Sequence, residues 1–320
     1  MSYTVVYWNR APQDVYDVIR GEMPAGWTLV TLTGDTKAGW HSQLAAVDFM
    51  IVADWAVTEE ELRAAPRLRM VQHQGVGHEK IDKEALKARN IPLALCPAGT
   101  TVGVAEHTLL LILAVYKRLV VADARLRQGT WLQWGLRSTS FELAGKTLGL
   151  YGFGRIGQAV ARRAHAFDAR ILFHDPYLKE LPPEASAWEV TSVPLPELLR
   201  QSDILSLHLP TTTETRKCMS TSQFQQMKRR AILINTSRGA LVDEPALIAA
   251  LQDGTIAAAG LDVFEREPVK PDNPLLPLEN VILTPHIAAG TVDALRQKMR
   301  SVFANLQRCA KGEPIRDRVV

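Results

Sequence analysis

Short apolar runs alternate with amphipathic segments along the first hundred residues. The runs are rich in β-branched and aromatic side chains, so they predict strands at Thr4–Trp8, Thr28–Leu32, Phe49–Ala53, Met70–Gln74 and Pro92–Cys96. Helical spacing of the apolar positions between them predicts helices at Gln13–Arg20, Thr58–Ala64 and Lys83–Arg89, and Thr58 with Glu61 forms a capping box. Strands that alternate with helices favour a parallel, doubly wound sheet.

The same alternation returns in the second half of the chain. A strand is predicted to begin at Leu148, and later strands are predicted at Ile204–Leu207, Ile232–Asn235, Ala258–Val263 and Val281–Leu283. Ahead of them, Val104–Leu119 is apolar nearly all round, which predicts a helix that is buried on several sides. The final segment, Thr291–Ala310, has an apolar stripe at helical spacing, and we expect the first domain to cover that stripe.

This pattern predicts two α/β domains, a number that suits 320 residues. The Pro97–Gly99 segment is typical of a boundary. We predict one domain over residues 99–287. The other is expected to be discontinuous, with residues 1–98 joined by the returning tail, residues 288–320.

A glycine motif opens the second domain. The sequence from Thr147 to Asp175 follows the order strand, glycine turn, helix, strand, acid, with glycines at Gly152, Gly154 and Gly157. The first glycine permits a tight turn, the second lets the backbone approach a pyrophosphate, and the third lets the helix pack closely. Asp175 lies near the spacing of about 20 residues expected for a carboxylate that binds ribose hydroxyls. The motif predicts NAD, because such a carboxylate repels the 2′-phosphate of NADP.

Three polar residues follow predicted strands of this second domain. Arg238, Glu267 and His286 come after the strands that start at Ile232, Ala258 and Val281. Ligands of open α/β sheets bind at the carboxyl ends of the strands, so we expect the three side chains to converge there. Arg238 could grip a carboxylate or polarise a keto oxygen, and His286 could move the hydroxyl proton. Glu267 could fix the histidine tautomer and raise the pKa of His286 above about 6.5.

Each of these residues also has a simpler explanation when it is taken alone. Arg238 could be a surface or capping arginine, His286 a loop histidine, and Glu267 a solvated charge. Their common position after strands, downstream of a nucleotide motif, favours the catalytic interpretation.

Composition and charge exclude several other classes of protein. Lys and Arg number 37 against 34 Asp and Glu, and the charges are scattered, so we expect no nucleic-acid partner. The most apolar stretch, Thr108–Val115, is too short to span a bilayer, and the N-terminus lacks the pattern of a secretory signal. Three distant cysteines show no metal-ligand spacing and fit a reducing cytoplasm. We expect a cytoplasmic protein without a metal or a membrane partner.

The motifs GFGRIGQAVARR, INTSRGALVDE, GLDVFEREP and LTPHIAAG, in this order and spacing, resemble the D-isomer-specific 2-hydroxyacid dehydrogenase family. The resemblance covers essentially the whole chain. It implies a flavodoxin-like substrate domain, a Rossmann-like nucleotide-binding domain, a cleft between them and a homodimer formed through the nucleotide-binding domains. It also implies that Arg238, Glu267 and His286 are the catalytic arginine, glutamate and histidine.

The resemblance implies roles for further residues. Cofactor contacts fall on Arg155, Ile156, Leu209, Pro210, Thr236, Ser237, Asp262 and Thr101. It implies that backbone N–H groups of Gly75, Val76 and Gly77 hold the substrate carboxylate. The glycines could instead mark only a turn. Trp55 stands where the first domain faces the substrate, or it could be a core tryptophan. Asp262 could instead cap nearby backbone at the end of a strand.

The sequence therefore predicts an NAD-dependent oxidoreductase that moves a hydride between nicotinamide and C2 of a small 2-hydroxy or 2-keto acid. The D-isomer follows from the resemblance alone. Two alternatives remain: an NAD-sensing, corepressor-like binding protein, and a dehydrogenase of the phosphite type. The identity of the acid and the favoured direction of the reaction stay open at this point.

Overall fold

The structure, a computed structural model, describes residues 2–33 and 36–320. The chain divides into two compact units. The first unit contains the residues up to Thr100 together with Gly290–Val320, and the second is Thr101–Ala289. The tail thus belongs to the same unit as the beginning of the chain.

Strands and helices alternate through both units. In chain order the strands are β1 (Thr4–Trp8), β2 (Thr28–Thr31), β3 (Phe49–Val52), β4 (Met70–His73), β5 (Leu93–Ala94), β6 (Thr147–Tyr151), β7 (Arg170–His174), β8 (Val190–Ser192), β9 (Ile204–Leu207), β10 (Ile232–Asn235), β11 (Ala258–Leu261) and β12 (Val281–Leu283). The helices are α1 (Gln13–Glu22), α2 (Lys37–Ser42), α3 (Glu59–Ala64), α4 (Lys83–Ala88), α5 (Thr101–Tyr116), α6 (Leu119–Arg127), α7 (Arg155–His165), α8 (Leu195–Gln201), α9 (Thr221–Phe224), α10 (Glu244–Gln252) and α11 (Val292–Lys311). Short 3-10 helices cover Pro183–Trp188 and Gly239–Leu241.

The first unit is built on a parallel sheet. In the part of the chain that the structure describes, its strand order is β2-β1-β3-β4-β5, which is the flavodoxin-like order. Helix α11 supplies part of its core, because Met299, Val302, Phe303 and Leu306 are buried in one cluster with Val5 and other residues of the sheet. The capping box predicted at Thr58 is present, with Glu61 at the third helical position.

The second unit is built on a seven-stranded parallel sheet, counted over the described residues, with the order β12-β11-β10-β9-β6-β7-β8. Its first six strands in chain order follow the Rossmann order 3-2-1-4-5-6. The strand order reverses between β6 and β9, and this switch point is where open α/β sheets bind their ligands. Both faces of the sheet are covered, and α5 is buried against one of them. The predicted fold class is therefore confirmed.

One predicted helix is wrong at its end. The apolar segment Val104–Leu119 was expected to form one helix, but α5 stops at Tyr116 and α6 starts at Leu119. Arg118 between them has φ 53°, a left-handed conformation that no α-helix interior accepts. Apolar periodicity carries no signal for such a single-residue reversal.

Within the described residues, none of the helices has both the length and the apolar character that a membrane span requires.

Candidate active site

The glycine turn lies between β6 and α7, at the switch point of the second unit. Gly152 has φ 95°, and a Cβ there would lie 2.5 Å from the carbonyl oxygen of His208. A Cβ on Gly157 would lie 2.5 Å from the carbonyl oxygen of Gly152, so helix and turn pack backbone to backbone. A Cβ on Gly154 would have no neighbour within 4 Å. The first and third glycines are thus required by the fold, whereas the second leaves open space where a ligand can approach.

The N-terminus of α7 faces this open space. Gly154 is the N-cap, and within residues 2–33 and 36–320 no side chain accepts from the first-turn N–H groups. Those groups include the N–H of Arg155 and of Ile156, the two residues that the resemblance assigns to the pyrophosphate. An eleven-residue helix with an uncapped N-terminus is suited to bind an anion.

Asp175 directly follows β7 and turns back toward the glycine turn. Its Oδ2 accepts from the N–H of Phe153 at 2.8 Å, and its Oδ1 accepts from the N–H of Tyr177 at 3.0 Å. Leu209, in the loop after β9, is buried with its Cδ2 3.1 Å from where a Gly152 Cβ would be, whereas Pro210 is exposed. The carboxylate, the open glycine and the uncapped helix fit a dinucleotide with free ribose hydroxyls.

The loop after β10 carries Arg238. The side chain of Asn235 organises it: Oδ1 accepts from the N–H and the hydroxyl of Ser237 at 3.1 and 2.8 Å, and Nδ2 donates to the carbonyl of Arg238 at 2.9 Å. Gly239 follows, and a Cβ there would overlap the carbonyl group of Phe264. The Arg238 loop is therefore packed directly on the segment that leads to Glu267.

Glu267 and His286 form a hydrogen-bonded pair. His286 Nδ1 lies 2.7 Å from Glu267 Oε2, and the other carboxylate oxygen accepts from the N–H of Phe264 at 3.0 Å. Because a carboxylate only accepts, Nδ1 carries the proton, and Nε2 is left to exchange a proton with a ligand. The hydrogen bond to Glu267 raises the pKa of His286 against the opposing effects of burial and of the Arg238 charge. The predicted direction of this pKa shift is confirmed.

The backbone of His286 is held in an unusual conformation. Its φ is 54°, in the left-handed region, which costs about 1 kcal/mol for a residue with a Cβ. The buried Asp262 compensates: its carbonyl accepts from the N–H of His286 at 2.8 Å, and its carboxylate accepts from the N–H groups of Ile287 and Ala288, each at 2.9 Å. Asp262 thus fixes the loop that presents the histidine.

The remaining predicted cofactor residues lie in the same unit. Thr101 is the first residue of α5 and is half-buried. Thr236 is buried, with its Oγ1 2.9 Å from Thr108 Oγ1, and Ser237 is bonded to Asn235 as described. The side chains of Thr236 and Ser237 are therefore already engaged within the protein.

The predicted substrate residues of the first unit occupy a loop and an aromatic cluster. Gly75 follows β4, and its N–H donates to His73 Nδ1 at 2.9 Å, so that N–H is already used. Among the described residues, no hydrogen bond is formed by the N–H of Val76 or of Gly77. Trp55 is partly buried, with its ring 4.7 Å from that of Trp40 and 5.6 Å from that of Trp8.

Sequence reasoning missed several residues that shape these loops. Three of them have no predicted ligand contact, but each helps to set the backbone conformation of a loop that carries predicted site residues: Asn235, Gly239 and His73. Asn235 carried a weak signal, since it ends a strand three residues before Arg238. Gly239 packs against the distant residue Phe264, and the His73 ring accepts a hydrogen bond from Gly75 in its own loop. The local sequence pattern indicates neither contact.

A Rossmann-like sheet with an open glycine turn and a glutamate–histidine pair defines the class of NAD-dependent oxidoreductases. The family model for the NAD-binding domain of D-isomer-specific 2-hydroxyacid dehydrogenases matches residues 109–288. The chain belongs to that family.

Known proteins agree with this assignment. Glyoxylate reductase of Korarchaeum cryptofilum is 42% identical over 259 residues, which are 80% of this chain and 77% of that protein. D-3-phosphoglycerate dehydrogenase of Archaeoglobus fulgidus is 39% identical over 263 residues, 82% of this chain but 49% of that protein, so the chain spans about half its length. The solved structure of D-lactate dehydrogenase from Escherichia coli has a TM-score of 0.90 at 28% identity, with 100% of both chains covered.

Proposed function

We propose that this protein reduces a short 2-keto acid of the glyoxylate type to the D-2-hydroxy acid with NADH, and that it also runs the reverse oxidation. The observation that carries the proposal is the 2.7 Å bond between Glu267 and His286, which holds a proton on Nδ1, raises the pKa of the imidazole and leaves Nε2 to exchange a proton with a substrate. The choice of glyoxylate is supported by the relatives named glyoxylate reductase, at 42% and 45% identity.

The chemistry divides among three side chains in this proposal. Bound NADH supplies the hydride that reaches C2 of the keto acid. His286 donates the Nε2 proton to the keto oxygen as negative charge develops there, and it takes that proton back in the oxidation. Glu267 stabilises the imidazolium and fixes its tautomer. Arg238 binds the substrate carboxylate and polarises the keto group with its planar guanidinium.

Cofactor binding is assigned to the described glycine turn and its surroundings. Gly152, Gly154, Gly157, Arg155 and Ile156 would hold the pyrophosphate at the N-terminus of α7. Asp175 would accept from the adenosine ribose. The other proposed cofactor contacts are Leu209, Pro210, Thr236, Ser237, Asp262 and Thr101.

Substrate contacts outside the second unit are proposed from the family resemblance. The backbone of the loop at residues 75–77 would bind the carboxylate. Its donors would be the N–H groups of Val76 and Gly77, which form no hydrogen bond among the described residues. Trp55 would limit the size of the substrate side chain. In this assignment residues 1–98 and 288–320 form the substrate domain and residues 99–287 the NAD-binding domain.

We also propose a homodimer. The support is a group of exposed apolar side chains in and after α6 of the second unit, where a soluble surface is normally polar. These side chains are Leu119, Val120, Leu126, Trp131 and Trp134. A second copy of the chain would cover them.

A keto-acid panel tests the proposed activity. NADH oxidation is followed with glyoxylate, hydroxypyruvate, pyruvate, phenylpyruvate and a longer branched keto acid. We expect turnover with the highest kcat/KM for glyoxylate or hydroxypyruvate. NADH binding without turnover of any acid would instead support a sensor, and NADH formation from phosphite alone would support a phosphite-type enzyme; either result contradicts the proposal.

A further inference from the structure

Helix α5 carries two neighbouring polar side chains that are largely buried, directly after the exposed Glu106. His107 and Thr108 lie between Ala105 and Leu109, both of which are buried in the core of the second unit. Thr108 is fully buried, and the His107 side chain is only 10% exposed. Buried polar groups are costly unless they form hydrogen bonds, so their partners indicate their purpose.

Thr108 reaches the loop that carries Arg238. Its hydroxyl donates to the Val104 carbonyl at 2.8 Å, within the helix, which uses its single proton. Its Oγ1 also lies 2.9 Å from Thr236 Oγ1, so Thr236 is the donor in that bond. The bond to the helix carbonyl alone would satisfy the hydroxyl donor of a buried threonine. The second bond therefore adds a link to the residue two positions before Arg238.

His107 reaches the loop that carries His286. Thr284 donates its hydroxyl proton to Asp262 Oδ1 at 2.6 Å, so the Thr284 oxygen is left as an acceptor. His107 Nε2 lies 2.9 Å from that oxygen and must therefore carry a proton. Thr284 is two positions before His286, and its partner Asp262 binds the N–H groups of the two residues that follow His286.

We propose that His107 and Thr108 are positioning residues that hold the two reactive loops at a fixed spacing on one rigid helix. Consecutive residues of α5 bond the β12 loop, which presents His286, and the β10 loop, which presents Arg238. Neither side chain touches the reacting atoms in this proposal. It rests on the proposed function, because it assigns the proton to His286 and the carboxylate to Arg238.

The proposal predicts a different kinetic effect for each residue. Loss of the His107 bond frees the His286 loop, so His107→Leu should lower kcat about tenfold and leave the KM for glyoxylate within about twofold. Loss of the Thr108 bond frees the Arg238 loop, so Thr108→Val should raise that KM about fivefold and lower kcat by less than about twofold. The NADH Kd, measured by fluorescence quenching, should change less than about threefold in both variants.

Conservative variants separate positioning from packing. Gln places an amide N–H near the position of His Nε2, and Ser keeps the hydroxyl, so His107→Gln and Thr108→Ser should recover most of the lost kcat and KM. Glu106→Gln, at an exposed position on the same helix, is the control and should match the parent protein. Thr284→Val removes the His107 bond from the loop side. Thr284→Val also removes the bond to Asp262, so it should lower kcat at least as much as His107→Leu does. Adding His107→Leu to Thr284→Val should lower kcat little further, and Thr284→Val alone carries the test if His107→Leu does not fold.

The outcomes distinguish this inference from the proposed function. A parent protein that reduces none of the keto acids overturns the proposed function. Normal kcat in His107→Leu together with normal KM in Thr108→Val, in a parent that does turn over, overturns the positioning role alone. Equal losses of kcat in both variants without recovery by Gln or Ser also overturn it, because that pattern indicates general packing damage.

Discussion

At the scale of single residues, the pair of Glu267 and His286 would determine, in the proposed mechanism, the pH range in which the site can transfer a proton. Glu267 is itself oriented, because its second oxygen accepts from the N–H of Phe264 at 3.0 Å. Its bond to His286 raises the pKa of the imidazole. The imidazolium therefore persists to a higher pH than that of an unpaired histidine, whose pKa is about 6.5.

Glu267→Gln should move the pH dependence of the reduction. Reduction needs protonated His286, so kcat/KM falls as the pH rises through the pKa of that histidine. Without the charged partner the pKa drops, and the fall in kcat/KM should occur at lower pH, with kcat at pH 7 reduced at least about tenfold. Glu265→Gln, two residues away, should leave the profile in place. A Glu267→Gln profile that coincides with that of the parent would refute the role of Glu267.

Asp175→Asn tests the choice of cofactor. Asp175 accepts from the N–H groups of Phe153 and Tyr177, so Ala would disturb the turn as well as remove the charge. Asn removes the charge that repels a 2′-phosphate and retains one acceptor oxygen for one of these N–H groups, so it disturbs the turn less than Ala would. We expect the ratio of kcat/KM for NADPH to that for NADH to rise about tenfold in Asp175→Asn. An unchanged ratio would show that another group selects the cofactor.

At the scale of elements, the turn from β6 to α7 separates the requirements of folding from those of binding. Gly157→Ala should place a Cβ 2.5 Å from the Gly152 carbonyl, whereas Gly154→Ala meets no protein atom within 4 Å. We expect Gly154→Ala to keep the melting temperature of the parent but to weaken NADH binding at least about tenfold, about 1.4 kcal/mol. Gly157→Ala should lower both the melting temperature and the affinity for NADH. Scanning calorimetry and NADH titration of the two variants provide the measurement, and unaltered NADH affinity in Gly154→Ala would contradict the pyrophosphate assignment.

The strands illustrate how much of the fold the sequence predicts. Four predicted strands match the structure residue for residue, because each is an almost continuous apolar run: Thr4–Trp8, Ile204–Leu207, Ile232–Asn235 and Val281–Leu283. The edge strand β8, Val190–Ser192, was missed, since it is short and partly exposed and lacks such a run. Helix α2 was also missed, because its sequence KAGWHS contains a glycine and has no apolar residues at helical spacing.

The candidate site, like the fold, could be predicted only in part from the sequence. Arg238, Glu267 and His286 could be found because parallel strands place their following loops at one edge of a sheet. The contacts that orient them could not be found, because they depend on which distant segments meet. Two examples are the close approach of Gly239 to the Phe264 carbonyl and the hydrogen bond between His107 and Thr284. Both are tertiary contacts, and the local sequence around each residue does not indicate its partner.

At the scale of the whole molecule, the strand order explains how loops from distant parts of the chain come to lie at one edge of a sheet. Strands β10, β11 and β12 are neighbours in the sheet, in the order β12-β11-β10, and all run in parallel. Arg238, Glu267 and His286 follow these three strands in turn. Three loops separated along the chain are thereby brought side by side, next to the switch point where the glycine turn lies.

The central claim is that His286 moves the substrate proton in a site that binds NADH independently of it. The most direct test is NADH-dependent reduction of glyoxylate by His286→Ala, paired with NADH titration of the same sample and with His165→Ala as the control. We expect kcat to fall at least about a hundredfold while the NADH Kd stays within about threefold, and we expect the control to behave like the parent. Retention of most of the turnover, or a loss of NADH binding as large as the loss of turnover, would contradict it.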